Sequence, residues 1–298
     1  MNNMKTNLVL TAKTKKTGNL LLTFFLIAVS ILFLLPILLV ILNSFKTKLF
    51  VINTPFAFPN SESFAGLKNY TEGLSVTRFF INPADPFFHL GAFFLSLFIT
   101  VCSVLIIVLF SGMTAWFITR SSGKFYKILY FIFVFSMIVP FQMLMFPLAH
   151  VANRLHLDNP AGLLLIYWGF GAGTSVFLYS GFVKSVPIAI EEAAIIDGCS
   201  PIKTFFLITL PMLAPISITV AILNAMWIWN DYLLPYLVLD LQYRTIPIAV
   251  QYLRGGLGSV DMGYMMAVVT MAVIPIVIFY FLCQKYIVKG ITAGSVKG

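Results

Sequence analysis

Charged residues in this chain are gathered into short clusters, and six long stretches between them carry no charge at all. These lie between Lys16 and Lys46, Asp85 and Arg120, Lys127 and Arg154, Asp158 and Lys184, Lys203 and Asp231, and Asp261 and Lys285. Each is longer than the roughly 20 residues a helix needs to cross a hydrocarbon core about 30 Å thick. The pattern predicts an all-α integral membrane protein with six transmembrane helices. Composition agrees: of 298 residues, 60% are hydrophobic and 10% charged, where soluble domains are about a quarter charged. The first stretch follows Lys13, Lys15 and Lys16 and could be taken for a signal peptide. Its apolar part, residues 20–42, is too long for one and no small-residue cleavage site follows, so a retained helix is expected.

Basic residues orient the spans. With both termini inside, the inner segments hold twelve Lys and Arg against three acids (Glu191, Glu192 and Asp197), and the outer segments hold seven against seven. The inner excess accounts for the net charge of +9 and predicts cytoplasmic N- and C-termini. A basic pI explained by topology needs no nucleic acid. Cys102, Cys199 and Cys283 have neither disulfide-framework nor metal spacing. Asn69-Tyr70-Thr71 is a formal glycosylation sequon on the outer side, for which chance is the simpler explanation.

The chain divides into a basic cytoplasmic tail (1–18), a transmembrane domain (19–290) and a short cytoplasmic C-terminal tail (291–298). The outer segment 47–86 reads as irregular, with a short helix around residues 70–74. Near the outer end of the third span, Pro140 and Gln142 mark either a cavity lining or a structural kink. Gly169, Gly171, Gly173 and Gly181 in the fourth span suit close helix packing in lipid.

Residues 184–215, an inner loop between the fourth and fifth spans, carry the strongest local signal. Ser185-Val186-Pro187 reads as a helix start with a capping hydroxyl. Glu191 and Glu192 follow in the early turns, where the helix dipole favours acids. Gly198 stands where a left-handed stop belongs. Ser200-Pro201 repeats the start signal, and Leu210-Pro211 and Pro215 mark the junction with the fifth span. The prediction is a helix–turn–helix too short and too polar to cross the membrane.

Glu192-Ala193-Ala194, three residues, Gly198, nine residues, Ile208, one residue, Leu210-Pro211 resembles the EAA loop of ATP-binding-cassette importer permeases. The longer stretch from Glu191 through Asp197 to Gly198 is similar to its form in the carbohydrate-importing branch, the maltose-type inner-membrane permeases. Leu67-Lys68-Asn69-Tyr70, Pro140-Phe141-Gln142, Trp229-Asn230-Asp231 and the run from Gln284 to Gly290 also resemble that branch, as does Lys297-Gly298. Two positions depart from it: Cys199 follows the glycine where alanine is common, and Leu95-Ser96 stands where Asn-Ser is common.

The resemblance implies a non-catalytic permease subunit of the bacterial cytoplasmic membrane that imports sugars or oligosaccharides. Its partners would be a second homologous permease, two cytoplasmic ATPase subunits and an extracellular or periplasmic sugar-binding protein. ATP and Mg would bind the ATPase, with no cofactor on this chain. The loop would transmit force: Glu191, Glu192, Ala193, Ala194, Asp197, Gly198, Ile208, Leu210 and Pro211 are its residues, with Glu192 a polar anchor, Ala193 and Ala194 the contact face, and Gly198 the turn. The tail 292–298 would reach the ATPase. The alternative for the two glutamates is that they cap a surface helix on which nothing docks.

No phosphate-binding loop is present, since Ser122-Gly123-Lys124-Phe125 lacks the upstream glycine and the following Ser or Thr. ATP chemistry must come from elsewhere. An ion-driven secondary transporter is the rival class, but such proteins place ionisable groups within their spans, and here only His89 lies near a span's end. Gln142, Ser175, Asn224 and Trp227 are the expected substrate-pathway residues, because polar groups in spans face the bundle interior and aromatic faces suit sugar rings. Interhelical hydrogen bonding and interfacial anchoring are the other reading of the same four.

Overall fold

The computed structural model describes residues 2–85, 89–253 and 261–295, with side chains between 22 and 284 within those ranges. Its helices are α1 (Asn2–Ser44), α2 (Lys48–Asn53), α3 (Lys68–Val76), α4 (Ala92–Arg120), α5 (Lys124–Ser136), α6 (Phe141–Arg154), α7 (Pro160–Val183), α8 (Ile188–Ile196), α9 (Pro201–Thr204), α10 (Leu210–Met212), α11 (Ala214–Asn230), α12 (Leu233–Val238), α13 (Ile246–Tyr252) and α14 (Met262–Ser295), with a π-helical turn at Phe205–Thr209 between α9 and α10. Among the described residues there is no strand, only two isolated bridges. Expectations about Lys297 and Gly298 lie outside the described residues, as do the side chains of 285–295.

Four helical segments are long and apolar enough to cross a membrane: Leu22–Ser44, Ala92–Arg120, Pro160–Val183 and Met262–Gln284. Two further stretches are broken. Lys124–Ser136 and Phe141–Arg154 meet at 100°, and Pro201–Met212 and Ala214–Asn230 meet at 79°. The third predicted span is therefore not one helix with a kink near its outer end. Pro140 caps α6 from an extended conformation, because proline cannot donate to the preceding turn and the residue before it is pushed out of helical geometry. The break in the fifth stretch falls between the two prolines that predicted it, with Pro215 in the first turn of α11.

The chain forms two compact units, residues 1–73 with 260–270, and residues 74–259 with 271–298. In the first, α1 runs back to Asn2 without a break at the basic tail, and no residue of its most apolar stretch is buried. The segment after α1 folds around Lys46, which is fully buried and donates through Nζ to the carbonyls of Thr54 (2.8 Å) and Pro55 (3.3 Å). Burial lowers its pKa. The sequon asparagine, Asn69, is also buried, and its Nδ2 donates to the carbonyls of Ser44 and Lys46 at 2.8 and 2.7 Å. The amide that would carry a glycan is thus consumed by the fold.

In the second unit α4 makes its most extensive contact with α7, and α5 and α11 pack on the same pair. Ile107 and Ala115 of α4, Tyr167, Val176 and Tyr179 of α7 and Val220 of α11 form the centre of the core. Two of the fourth span's glycines make this closeness possible. A Cβ on Gly171 would meet Ile107 Cδ1 at 2.6 Å and Asn224 Oδ1 at 2.9 Å, and one on Gly173 would collide with Ser136 Oγ and the Phe133 carbonyl. Gly169 and Gly181 face open space. Ser96, in the second span, is buried and accepts a hydrogen bond from the Ile246 N–H at 2.9 Å, so this departure from the Asn-Ser pattern still leaves a polar contact to α13.

Candidate functional site

The loop 184–215 folds as the helix–turn–helix its spacing predicts, with one local correction. Ser185 does not cap α8; its hydroxyl donates back to the Phe182 carbonyl at 2.6 Å, and Pro187 takes the N-cap position without a side-chain bond. A short serine two residues before the capping proline reaches its own preceding turn more readily than the next helix. At the other end Gly198 adopts φ +88°. The Cys199 N–H bonds the Ala194 carbonyl at 2.9 Å and the Gly198 N–H bonds that of Ile195 at 3.0 Å, which is the paired pattern of a Schellman stop. Ser200 then caps α9, accepting from the Lys203 N–H at 3.4 Å.

The two faces of α8 differ. Ala194 is buried against its own chain, as is Glu191, whereas Glu192, Ala193, Asp197 and Gly198 are exposed and Ile195 and Ile196 are 55% and 85% exposed. Of the alanine pair, then, only Ala193 belongs to the outward face, which the two isoleucines extend. On the far limb, Leu210 and Ile208 are half-buried and Pro211 is exposed.

Glu191 points inward onto the end of α4. The Arg120 guanidinium donates to both of its carboxylate oxygens, Nη2 to Oε1 at 2.9 Å and Nε to Oε2 at 3.0 Å, and Trp116 Nε1 donates to Oε2 at 3.0 Å. Arg120 Nη2 also reaches the Val186 carbonyl at 2.8 Å. A two-pronged guanidinium–carboxylate pair fixes orientation as well as charge. Sequence reasoning treated Arg120 only as an inner basic residue closing a charge-free stretch. Its partner lies 71 positions away, and no local pattern marks such a pair.

Of the four expected pathway residues, the structure joins two. Ser175 on α7 and Asn224 on α11 are both buried, and Asn224 Nδ2 donates to Ser175 Oγ at 3.2 Å and to its own helix at the Val220 carbonyl at 2.8 Å. Trp227, 40% exposed, stands edge-on to Tyr167 with ring centroids 5.4 Å apart. Tyr167 in turn donates to Asp231 Oδ2 at 3.0 Å, and Asp231 Oδ1 accepts from the Leu233 N–H at 3.1 Å. Burial raises the Asp231 carboxyl above the usual carboxylate range, against these hydrogen bonds, which pull it down. Gln142 is exposed in the first turn of α6 and has no part in this cluster. Tyr167 had no signal in the sequence, and Asp231 had only its place at the edge of a charge-free stretch and in the Trp229-Asn230-Asp231 run.

A groove of about 630 Å³ in the same unit is lined by α4, α11 and the part of α14 beyond Met271, including Phe93, Leu97, Ala225, Trp229, Ile274 and Phe279. Among the described residues its polar side-chain groups are the Thr100 hydroxyl and the Trp229 indole N–H. Such a surface suits lipid tails or another apolar helix and offers a sugar hydroxyl almost nothing.

Residues 107–293 match the family described as binding-protein-dependent transport system inner membrane component. The chain is 40% identical over 278 residues to a probable starch degradation products transport system permease protein of Thermoanaerobacterium thermosulfurigenes, covering 93% of this chain and 96% of that one. It is 37% identical to a multiple sugar-binding transport system permease protein of Streptococcus mutans, covering 90% and 93%. A melibiose/raffinose/stachyose import permease protein of Bacillus subtilis is 32% identical over 232 residues, 73% of this chain and 84% of that one. In fold it resembles a chain of a bacterial ABC transporter involved in import of the acidic polysaccharide alginate, with a TM-score of 0.75, 20% identity, and 92% and 97% coverage. With its apolar spans and the helix–turn–helix at 184–215, the chain thus belongs to the inner membrane components of binding-protein-dependent transport systems, the non-catalytic, multi-pass permease subunits of bacterial ABC importers, in which a separate ATPase hydrolyses ATP.

Proposed function

We propose that this permease imports an oligosaccharide, and that it does so as one half of a translocation pathway shared with a second, homologous permease. Both broken stretches count as single spans in this reading, so the chain crosses the membrane six times with both termini in the cytoplasm. The basic excess of the inner segments supports that orientation. Two ATPase subunits lie beneath the permease pair with ATP and Mg, and a sugar-binding protein delivers substrate from outside. Relatives named for starch products, multiple sugars and raffinose-type sugars support the substrate class.

The observation that carries the coupling role is the division of α8 into a clamped face and a free one. Glu191 is tied inward to Arg120, while Glu192, Ala193, Ile195 and Ile196 are exposed. A helix held rigidly on one side, with small and apolar groups and one acid on the other, suits docking in a groove of a partner. Glu192 serves as the polar anchor, and Gly198 sets the angle to the second limb with Ile208, Leu210 and Pro211. For the substrate path, Trp227 offers an aromatic face and Asn224 with Ser175 a polar pair one helical turn away. Gln142 stands apart from this cluster, beyond the Pro140 break, and enters the proposed path only as its outer candidate.

Tagged purification from native membranes in mild detergent tests the assembly: an ATPase, a second permease and a sugar-binding protein are expected to co-purify. Reconstituted with them, vesicles should take up maltotriose or raffinose only with ATP. Glu192→Lys should leave the chain inserted and reduce both ATPase recovery and ATP-driven uptake. Folded chain recovered alone, with uptake that ignores ATP, would overturn the reading.

A further inference from the structure

The last turn of α4 grips both limbs of the inner loop. Arg120 holds the first limb at two places, the Val186 carbonyl just before α8 and the Glu191 carboxylate in its first turn. Trp116, one turn earlier on the same face, donates to Glu191 as well. Its ring also packs on Phe205, with centroids 5.5 Å apart, and Phe205 opens the π-helical turn of the second limb. Phe205 is buried, and a Cβ on Gly112 of α4 would stand 3.7 Å from its ring. Neutralising Glu191 would need only one cation. The fork instead takes the acid from two sides, adds a backbone carbonyl, and sits on a helix that runs on through the core against α7 and α11.

We propose that Arg120, backed by Trp116, is a positioning residue that makes the inner loop and α4 one rigid body, so that a push on the exposed face of α8 displaces α4 instead of bending the loop. The inference rests on the proposed docking of α8 to an ATPase. Without the clamp, α8 would be held only through residues 184–187, its link to α9 and its packing on the second limb, and the two limbs could swing together when pushed. Lysine in place of Arg120 keeps the charge but cannot span both carboxylate oxygens with a planar fork, so it should restore only part of the coupling.

The test uses the whole complex with its ATPase, Cys102, Cys199 and Cys283 replaced by serine, and nitroxide labels at Leu105 on α4 and Ile188 on α8, both more than half exposed. The inter-label distance is measured with and without AMP-PNP. In the otherwise native complex the distance should not respond to nucleotide. In Arg120→Ala and Glu191→Gln it should shift or broaden on AMP-PNP binding, and transport per ATP hydrolysed should fall by at least about fivefold, the lower bound of ordinary coupling energies. The exchange Arg120→Glu with Glu191→Arg should recover part of both. A purely structural role would lower the yield of complex and leave the ratio and the distance response of the survivors unchanged, which overturns the proposal. A native complex whose distance already changes with nucleotide overturns it too. Failure of the ATPase to co-purify with the native chain would instead remove the docking on which it rests.

Discussion

At Asp231 burial and hydrogen bonding pull the carboxyl in opposite directions, and burial prevails. The folded state therefore holds the proton more tightly than the unfolded chain does. Stability is lost as pH rises from the unfolded value of 3.8 through the raised folded one, and stays low above it. Asp231→Asn keeps its Oδ1 as acceptor for the Leu233 N–H, puts an NH2 that can donate to the Tyr167 hydroxyl where Oδ2 accepted from it, and removes the charge. At pH 7.5 it should melt higher, by roughly 2–4 °C for each kcal/mol relieved, and the gap should close as pH falls toward 4; a thermal melt in detergent across that range checks this. The Arg120–Glu191 pair has the opposite character, since each group is compensated by the other. Either single substitution leaves a largely buried charge alone, at about 3–5 kcal/mol, less for the partly exposed arginine. Arg120→Leu with Glu191→Leu should regain most of the melting temperature lost in Glu191→Leu but none of the coupling, separating stability from force transmission.

The helix elements owe their ends to a few residues. Gly198 matters for its backbone, not its size: φ is +88° and nothing lies within 4 Å of where a Cβ would be. An L-residue in left-handed geometry costs about 1–2 kcal/mol. Gly198→Ala and Gly198→Leu should therefore impair ATP-driven uptake to the same degree, and Gly198→Asn less, because asparagine tolerates this conformation. A graded loss with side-chain volume would mean the position is a contact, not a turn. Gly171 and Gly173 are the reverse case, where the backbone is ordinary helix and the neighbours leave no room. Pro140 acts on a whole element, turning one charge-free stretch into two helices at 100°.

For the whole molecule, the proposed topology places α5–α6 across the membrane in spite of its bend. Cysteines introduced at Lys124 and Arg154 should then differ: a membrane-impermeant maleimide added to intact cells should label position 154 and spare position 124. It should also spare native Cys199 until the membrane is opened. Labelling of both positions, or neither, would mean that the bent pair re-enters on one side and that the orientation of everything after it must be reversed. The apolar groove and the unburied apolar stretch of α1 fit a chain surrounded by lipid and protein, since neither surface would be stable in water.

Spacing of charges along the sequence was enough to determine an all-helical membrane chain, the places of its apolar stretches and the loop between the fourth and fifth. The reason is that lipid imposes a length and a composition on each segment independently of its neighbours. The loop's turn was legible for a similar reason: Gly198, Ser200 and Pro201 act on their own backbone. What only the tertiary structure decided is which side chains meet. It tied Glu191 to Arg120 across 71 positions and Tyr167 to Asp231 across 64, joined Ser175 to Asn224, left Gln142 outside, and turned Ala194 inward and Ala193 outward. Such pairings depend on how helices cross, a property of two surfaces packed together that neither stretch of sequence carries by itself.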